Sequence, residues 1–365
     1  MKYLKFIILS ICLFEGFILH AQIKIVEIGA AYTIEEALAN PEEIRKMHLT
    51  NQSLKELPEA IGKLVNLEHL SLEGNELSTL PSSFEQLKNL EILVLNNNNF
   101  SELPNVLKEL PRLEVLRLDG NLLTALPPWI NKLDNLKTLT ASHNKIAYLP
   151  KEIGALKDVE WLYFENNVIT ELPNEIGALT NVKRMSFKEN LIPKLPKSIA
   201  KLQNLTHFDV DSNKLTEIHS VSECKSLQVL HASFNGITEI PESFTNLGNL
   251  VSLYLNNNNL SYLPQKFGNL SKLQYLVLNQ NTIEKLPESF GNLNNLVWLY
   301  VNDNMLKTLP ETMGSFSKLE VLALSNNSIE VLPDTFFKGM DSLKTLYIDK
   351  EVKANILGKV TVNFM

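Results

Sequence analysis

The sequence predicts a solenoid of stacked coils with one short strand per coil, and three observations lead there. Leucine (65 residues) and asparagine (40) fill more than a quarter of the 365 positions, which a non-repeating globular chain does not require. Asparagine recurs at positions 75, 98, 121, 144, 167, 190, 213, 235, 258, 281, 304 and 327, and ten of the eleven intervals are 23 residues. Around each, a phrase returns in phase: Leu67-x-x-Leu70-x-Leu72-x-x-Asn75-x-Leu77-x-x-Leu80-Pro81.

Each element of the phrase has a physical reason. Leu70 and Leu72 are two apart, the period of a strand, so they share one face while their neighbours point to the other. No unit can bury its leucines alone; stacking does so. The asparagine column suits a buried turn, where a side-chain amide both donates to and accepts from backbone groups left over as the strand ends. The proline column suits an extended back segment that feeds no ladder. Phe84, Phe244, Phe267, Phe290 and Phe336 alternate with Ile and Leu in one slot and read as interior filler. Gln52 and Glu351 take the asparagine slot in the first and last units, so fourteen units run with leading apolar residues from Ile44 to Leu343. Unit eight departs: His219 replaces the proline, one residue is missing before Leu227, and Cys224 stands where a core leucine is usual. That thiol is expected to be buried and inert. In unit thirteen, Phe336-Phe337-Lys338-Gly339-Met340 adds one residue.

At these positions the chain resembles the leucine-rich repeat family in its 23-residue Leu-Pro-x-x-Ile-Gly-x-Leu form, seen as Leu149-Pro150-Lys151-Glu152-Ile153-Gly154-Ala155-Leu156. The resemblance covers residues 44–349. It implies an α/β solenoid, a horseshoe with a parallel concave β-sheet of about fourteen strands and short helical or extended segments outside. Relatives that append ligase or kinase modules need more chain than the sixteen residues after Asp349.

The ends read differently from the middle. Lys2 and Lys5 precede the apolar run from Phe6 to Phe14, and Ala21 offers a cleavage point, so residues 1–21 are expected to be a secretory signal peptide. The exported chain would have no stable membrane insertion after cleavage, because a span takes about 20 apolar residues. Residues 22–43 are expected to cap the first unit, with Thr33-Ile34-Glu35-Glu36 spaced as a capping box. Residues 350–365 are expected to cap the last, and Lys359 to Phe364 alternate like an edge strand. Neither cap carries the cysteines of many animal extracellular leucine-rich repeats, so the exported bacterial type is the better match.

Composition removes several functions. Net charge is −7 with pI near 5.6, whereas polyanion binding needs clustered Lys and Arg, so no nucleic acid is expected. Two cysteines, one in the signal, build no disulfide framework. No phosphate-cradling glycine loop, nucleophile motif or zinc-ligand spacing appears, and neither catalysis nor a cofactor is expected.

Stacked about 4.8 Å apart, fourteen strands present a face of roughly 60 Å, wide enough for a protein epitope. Aromatics make up 8% of the chain, yet Trp161, Tyr163, Tyr254, Tyr275, Trp298 and Tyr300 all fall on its solvent-facing positions. Only Trp129 among the tryptophans does not. Interface anchors are enriched in Trp, Tyr and Arg. Two patches are therefore expected to bind a partner, Trp161 with Tyr163 and Arg184, and Tyr254 through Tyr300; cross-strand stacking that stiffens the sheet is the competing explanation. Between them lie His207, Asp209, Asp211 and His231. Two histidines and two carboxylates can hold a transition metal, but their open placement favours an exposed charge pair, and no metal site is expected.

The function expected is a non-catalytic scaffold that recognises a protein or peptide on the concave face. Glycan binding through the Tyr275, Trp298 and Tyr300 ridge is a second class. A third is an intracellular scaffold resembling small-GTPase-associated repeats of the same 23-residue form.

Overall fold

The computed structural model describes residues 29–332, 336–352 and 360–364. The expected signal peptide and parts of both expected caps lie outside these. The chain forms one sheet of sixteen parallel strands, each paired with the next in sequence. The first eight are β1 Ala30–Ala31, β2 Lys46–His48, β3 His69–Ser71, β4 Ile92–Val94, β5 Val115–Arg117, β6 Thr138–Thr140, β7 Trp161–Tyr163 and β8 Arg184–Ser186. The rest are β9 His207–Asp209, β10 Val229–His231, β11 Ser252–Tyr254, β12 Tyr275–Val277, β13 Trp298–Tyr300, β14 Val321–Ala323, β15 Thr345–Ile348 and β16 Thr361–Phe364. Strands β2 to β15 are the fourteen that the repeat predicts, and the sheet exceeds them by one strand at each end.

Alternation explains the strands. Their central residues, Leu70, Leu93, Leu116 and their successors, are buried, while the flanking positions face away from the core. Leu72, two past Leu70, returns to the interior. Phenylalanines in successive coils stack inside it: Phe164 on Phe187 with centroids 6.0 Å apart, and Phe267 on Phe290 at 5.8 Å. The core is one continuous cluster, as expected when each coil covers its neighbour.

The asparagine column does what its chemistry suggests. Asn98 donates from Nδ2 to the carbonyls of Leu72 (2.9 Å), Leu95 (3.2 Å) and Asn96 (3.1 Å), and its Oδ1 accepts the Leu77 N–H at 3.0 Å. One amide thus closes the turn of its own coil and fastens the coil before it. In the first unit the slot differs: Gln52 is exposed and donates to the Tyr32 carbonyl at 2.8 Å.

On the back of the coil the proline introduces a 3₁₀ turn. Pro81 sits at φ −66°, ψ 158°, its carbonyl accepts the Phe84 N–H at 3.1 Å, and Ser82–Gln86 form the turn. The glycine of Ile-Gly follows from packing between these turns: a Cβ on Gly154 would lie 2.5 Å from the Glu175 carbonyl oxygen.

Each described end carries structure beyond the repeat strands. Helix α1, Ile34–Ala39, has a complete capping box: the Thr33 Oγ1 accepts the Glu36 N–H at 3.1 Å, and the Glu36 carboxylate accepts the Thr33 N–H at 3.2 Å. Ala37 is buried, and β1 pairs with β2. At the other end β16 pairs with β15.

Candidate functional site

The ten sequence-predicted site residues lie on seven consecutive strands, β7 to β13, all on the face opposite the leucines. The two aromatic patches, with His207, Asp209 and His231 between them on β9 and β10, make up one contiguous band in register. Trp161 is exposed; Tyr163, Arg184, His207, Asp209, His231, Tyr254, Tyr275, Trp298 and Tyr300 are half-buried. Small residues on the same face, Thr138, Thr140, Ser186 and Ser252, are buried, because larger side chains on adjacent strands overhang them.

Parallel register sets the contacts. Trp161 pairs with Arg184, His231 with Tyr254, and Tyr275 with Trp298. The His231 and Tyr254 rings stack with centroids 4.3 Å apart. Tyr275 meets Trp298 edge-on, centroids 4.9 Å apart and planes at 66°. Burial pushes the phenols of Tyr163, Tyr254 and Tyr300 up, so they remain neutral donors.

The centre of the band is electrostatically unlike its flanks. A charge pair is present, between His231 and Asp211, but Asp209, Asp211 and His231 are half-buried rather than exposed, and the His231 ring is covered on one face by Tyr254. Burial and the adjacent Asp211 push the Asp209 carboxyl up to about 7. Burial and the Arg184 charge lower His207 to about 4. Burial opposes charge on His231, but Asp211 and Asp209 outweigh it and raise its affinity for a proton. The Nδ1 of His231 stands 3.6 Å from Asp211 Oδ2.

A second ladder runs along the strand ends, two residues past each strand. There a side-chain oxygen accepts the N–H of the equivalent residue in the following coil: Asn96 from Asp119 (2.9 Å), Asp119 from Ser142 (2.7 Å), Ser142 from Glu165 (3.0 Å), Asp211 from Ser233 (2.5 Å), Asn279 from Asn302 (2.8 Å) and Asn302 from Ser325 (2.9 Å). Lys188 occupies that slot and has no acceptor to offer, so Asp209 Oδ1 takes the Asp211 N–H at 2.9 Å instead. Asp209 therefore has a structural duty on one oxygen. The run of Asn, Asp and Ser at this slot is the signal that exposes the ladder.

Sequence reasoning also missed Phe234. It lies three residues past His231, 54% exposed at φ +54°, a conformation costly for a bulky residue, where other coils place Gly or a polar residue: Asn, Asp, Ser, Gln, Glu or His. Cys224 is fully buried, as expected, and burial pushes its thiol up to about 12. Among the described residues no helix is long and apolar enough to cross a membrane.

Comparison with known proteins follows the architecture. Residues 35–121 match the leucine-rich repeat region, residues 249–306 and 310–356 the leucine-rich repeat, and residues 225–269 the two-copy leucine-rich repeats. No curated protein matches the chain. A leucine-rich repeat protein of Leptospira interrogans is 30% identical, with 92% of this chain and 99% of that one covered and a TM-score of 0.69. PEPR1, solved with AtPEP1, is 30% identical over 84% of this chain and 47% of its own, with a TM-score of 0.70. An internalin of Listeria monocytogenes shares the fold at 22% identity, covering 88% and 89%, with a TM-score of 0.74. With fourteen in-phase coils and a relative matched over almost its whole length, the chain belongs to the leucine-rich repeat family.

Proposed function

We propose that the chain is an exported bacterial scaffold that holds a protein or peptide against its concave sheet and catalyses no reaction. The observation that carries this reading is the distribution of aromatics: six of them, with Arg184, share one face over seven adjoining strands. Water-facing sheet positions have no structural need for indoles, whereas large amphipathic rings with limited rotamer freedom are efficient anchors. At about 4.8 Å per strand the band is roughly 30 Å long, the reach of an extended peptide of about nine residues or a small domain. That PEPR1 was solved together with AtPEP1 supports a partner-binding role for coils of this kind. The internalin adds the fold alone.

Export rests on the basic start, apolar run and Ala21 of the N-terminus. N-terminal sequencing of the native protein tests it: a chain beginning near Gln22 supports export, and a chain retaining residues 1–21 supports the intracellular scaffold instead. Partner class is tested by comparing the mature chain with Trp298→Ala on peptide and glycan arrays. Binding on the peptide array alone, weakened by the substitution, is the expected result; binding on the glycan array alone would move the assignment to sugars.

A further inference from the structure

We propose that Asp209, Asp211 and His231 form a binding site for a zinc-like transition-metal dication in the middle of the concave face. One oxygen of each carboxylate and a ring nitrogen of His231 lie within 4.8 Å of one another. The 3.6 Å between His231 Nδ1 and Asp211 Oδ2 is too long for a hydrogen bond. It is close to the roughly 3.4 Å that separates two ligands, each about 2.1 Å from one tetrahedral ion. The 4.8 Å that bounds the whole set exceeds that separation by about 1.4 Å, so the side chains would draw together on the ion.

Independent features hold these groups in place. The backbone N–H of Asp211 fixes one oxygen of Asp209, and the N–H of Ser233 fixes one oxygen of Asp211. Each carboxylate thereby keeps its other oxygen for a cation, oriented by a partner as metal-binding carboxylates are. The imidazole of His231 lies flat on Tyr254, with Nδ1 3.6 Å from Asp211 Oδ2, an ion-pair contact that a bound metal would replace. The sequence alone favours an exposed charge pair; the half-burial of all three residues and the two backbone anchors favour an organised site.

The donor set selects the class of ion. Calcium and magnesium require six or more oxygen ligands, whereas one imidazole and two carboxylates suit zinc or a similar first-row dication. Three protein ligands leave a coordination position open to water or to a carboxylate or imidazole from a bound partner.

Calorimetric titration of chelator-treated protein with zinc chloride is the test. One zinc per chain is expected, with affinity falling roughly tenfold or more in His231→Gln and in Asp211→Asn. His219→Gln, which alters an imidazole set between Glu217 and Glu239 in a 3₁₀ turn, should leave that zinc in place. Absence of zinc binding, or affinity unchanged in a folded His231→Gln, would overturn the assignment. If both site variants unfold, cobalt(II) added to the unaltered chain decides. Paramagnetic broadening should reach the Tyr254 ring signals before those of any other tyrosine; broadening centred elsewhere rejects the site.

Discussion

The imidazole of His231 lies nearly parallel to the ring of Tyr254, 4.3 Å apart and 11° between planes, whereas Tyr275 and Trp298 two strands further on meet edge to face. Both are direct cross-strand neighbours in the same register, so the difference lies in the side chains. A face-to-face pair spends both inner faces on each other. An edge-on pair covers a face of only one of its two rings. In the proposed partner surface the Trp298 end is therefore expected to anchor and the His231 end to be the more tightly packed. We expect Tyr254→Ala to cost about 0.5–1.5 kcal/mol of stability from the lost stack. Trp298→Ala with Tyr300→Ala also loses a ring pair and should cost a similar amount of stability, about 0.5–1.5 kcal/mol, while weakening partner capture by about 2 kcal/mol or more. Unfolding of the double variant with capture intact would show the rings to be struts.

Asn98→Ala should destabilise far more than its size suggests. The substitution removes a donor to three carbonyls and the acceptor of the Leu77 N–H, all in a buried turn. Each unsatisfied buried group costs about 1–3 kcal/mol. Asn98→Asp keeps the acceptor but turns a negative oxygen toward the same carbonyls, and should be at least as damaging. Chemical denaturation of both variants checks this; a loss below about 1 kcal/mol would mean that water repairs the turn.

Which parts of this structure were readable from the sequence follows from the kind of information each needs. All fourteen repeat strands were, because two leucines two apart and an asparagine every 23 residues fix both face and phase. Strand β1 was not: Ala30 and Ala31 carry no alternation, and they pair only because the neighbouring coil offers an edge. The 3₁₀ turns were implied by the resemblance rather than read from residues, since five residues show no helical periodicity. The band of site residues could be placed on a face, but not its texture. Whether His231 is exposed or screened depends on the rotamer of Tyr254 across the strand gap, and whether Asp209 is free depends on Lys188 in the adjoining coil lacking an acceptor.

Glycine offers a paired test of stacking between coils. A Cβ on Gly154 would lie 2.5 Å from the Glu175 carbonyl oxygen and 2.8 Å from its Cβ, while a Cβ on Gly248 would meet nothing within 4 Å. Gly154→Ala should therefore force adjacent 3₁₀ turns apart and cost about 1–3 kcal/mol. Gly248→Ala should be neutral or slightly stabilising, because it narrows the unfolded ensemble without a clash. Equal melting temperatures for the two variants would show that the back of the coil yields freely.

Cys224 gives the pH dependence whose sign is clearest. Its thiol replaces a core leucine, donates weakly to the Ile199 carbonyl at 3.4 Å, and is pushed up to about 12 by burial. The folded state thus holds its proton more tightly than the unfolded chain, whose thiol titrates near 8.5. The contribution to stability is fully present below the unfolded value and is lost as pH rises from there toward the folded value. In a chain beginning at Gln22, where this is the sole cysteine, alkylation at pH 8 should be roughly a thousandfold slower than in the urea-unfolded chain, since only the thiolate reacts. The midpoint of urea unfolding should fall between pH 9 and 11, and Cys224→Val should flatten that part of the decline. An unchanged slope in the valine variant would assign the alkaline loss to the lysines and tyrosines of the surface.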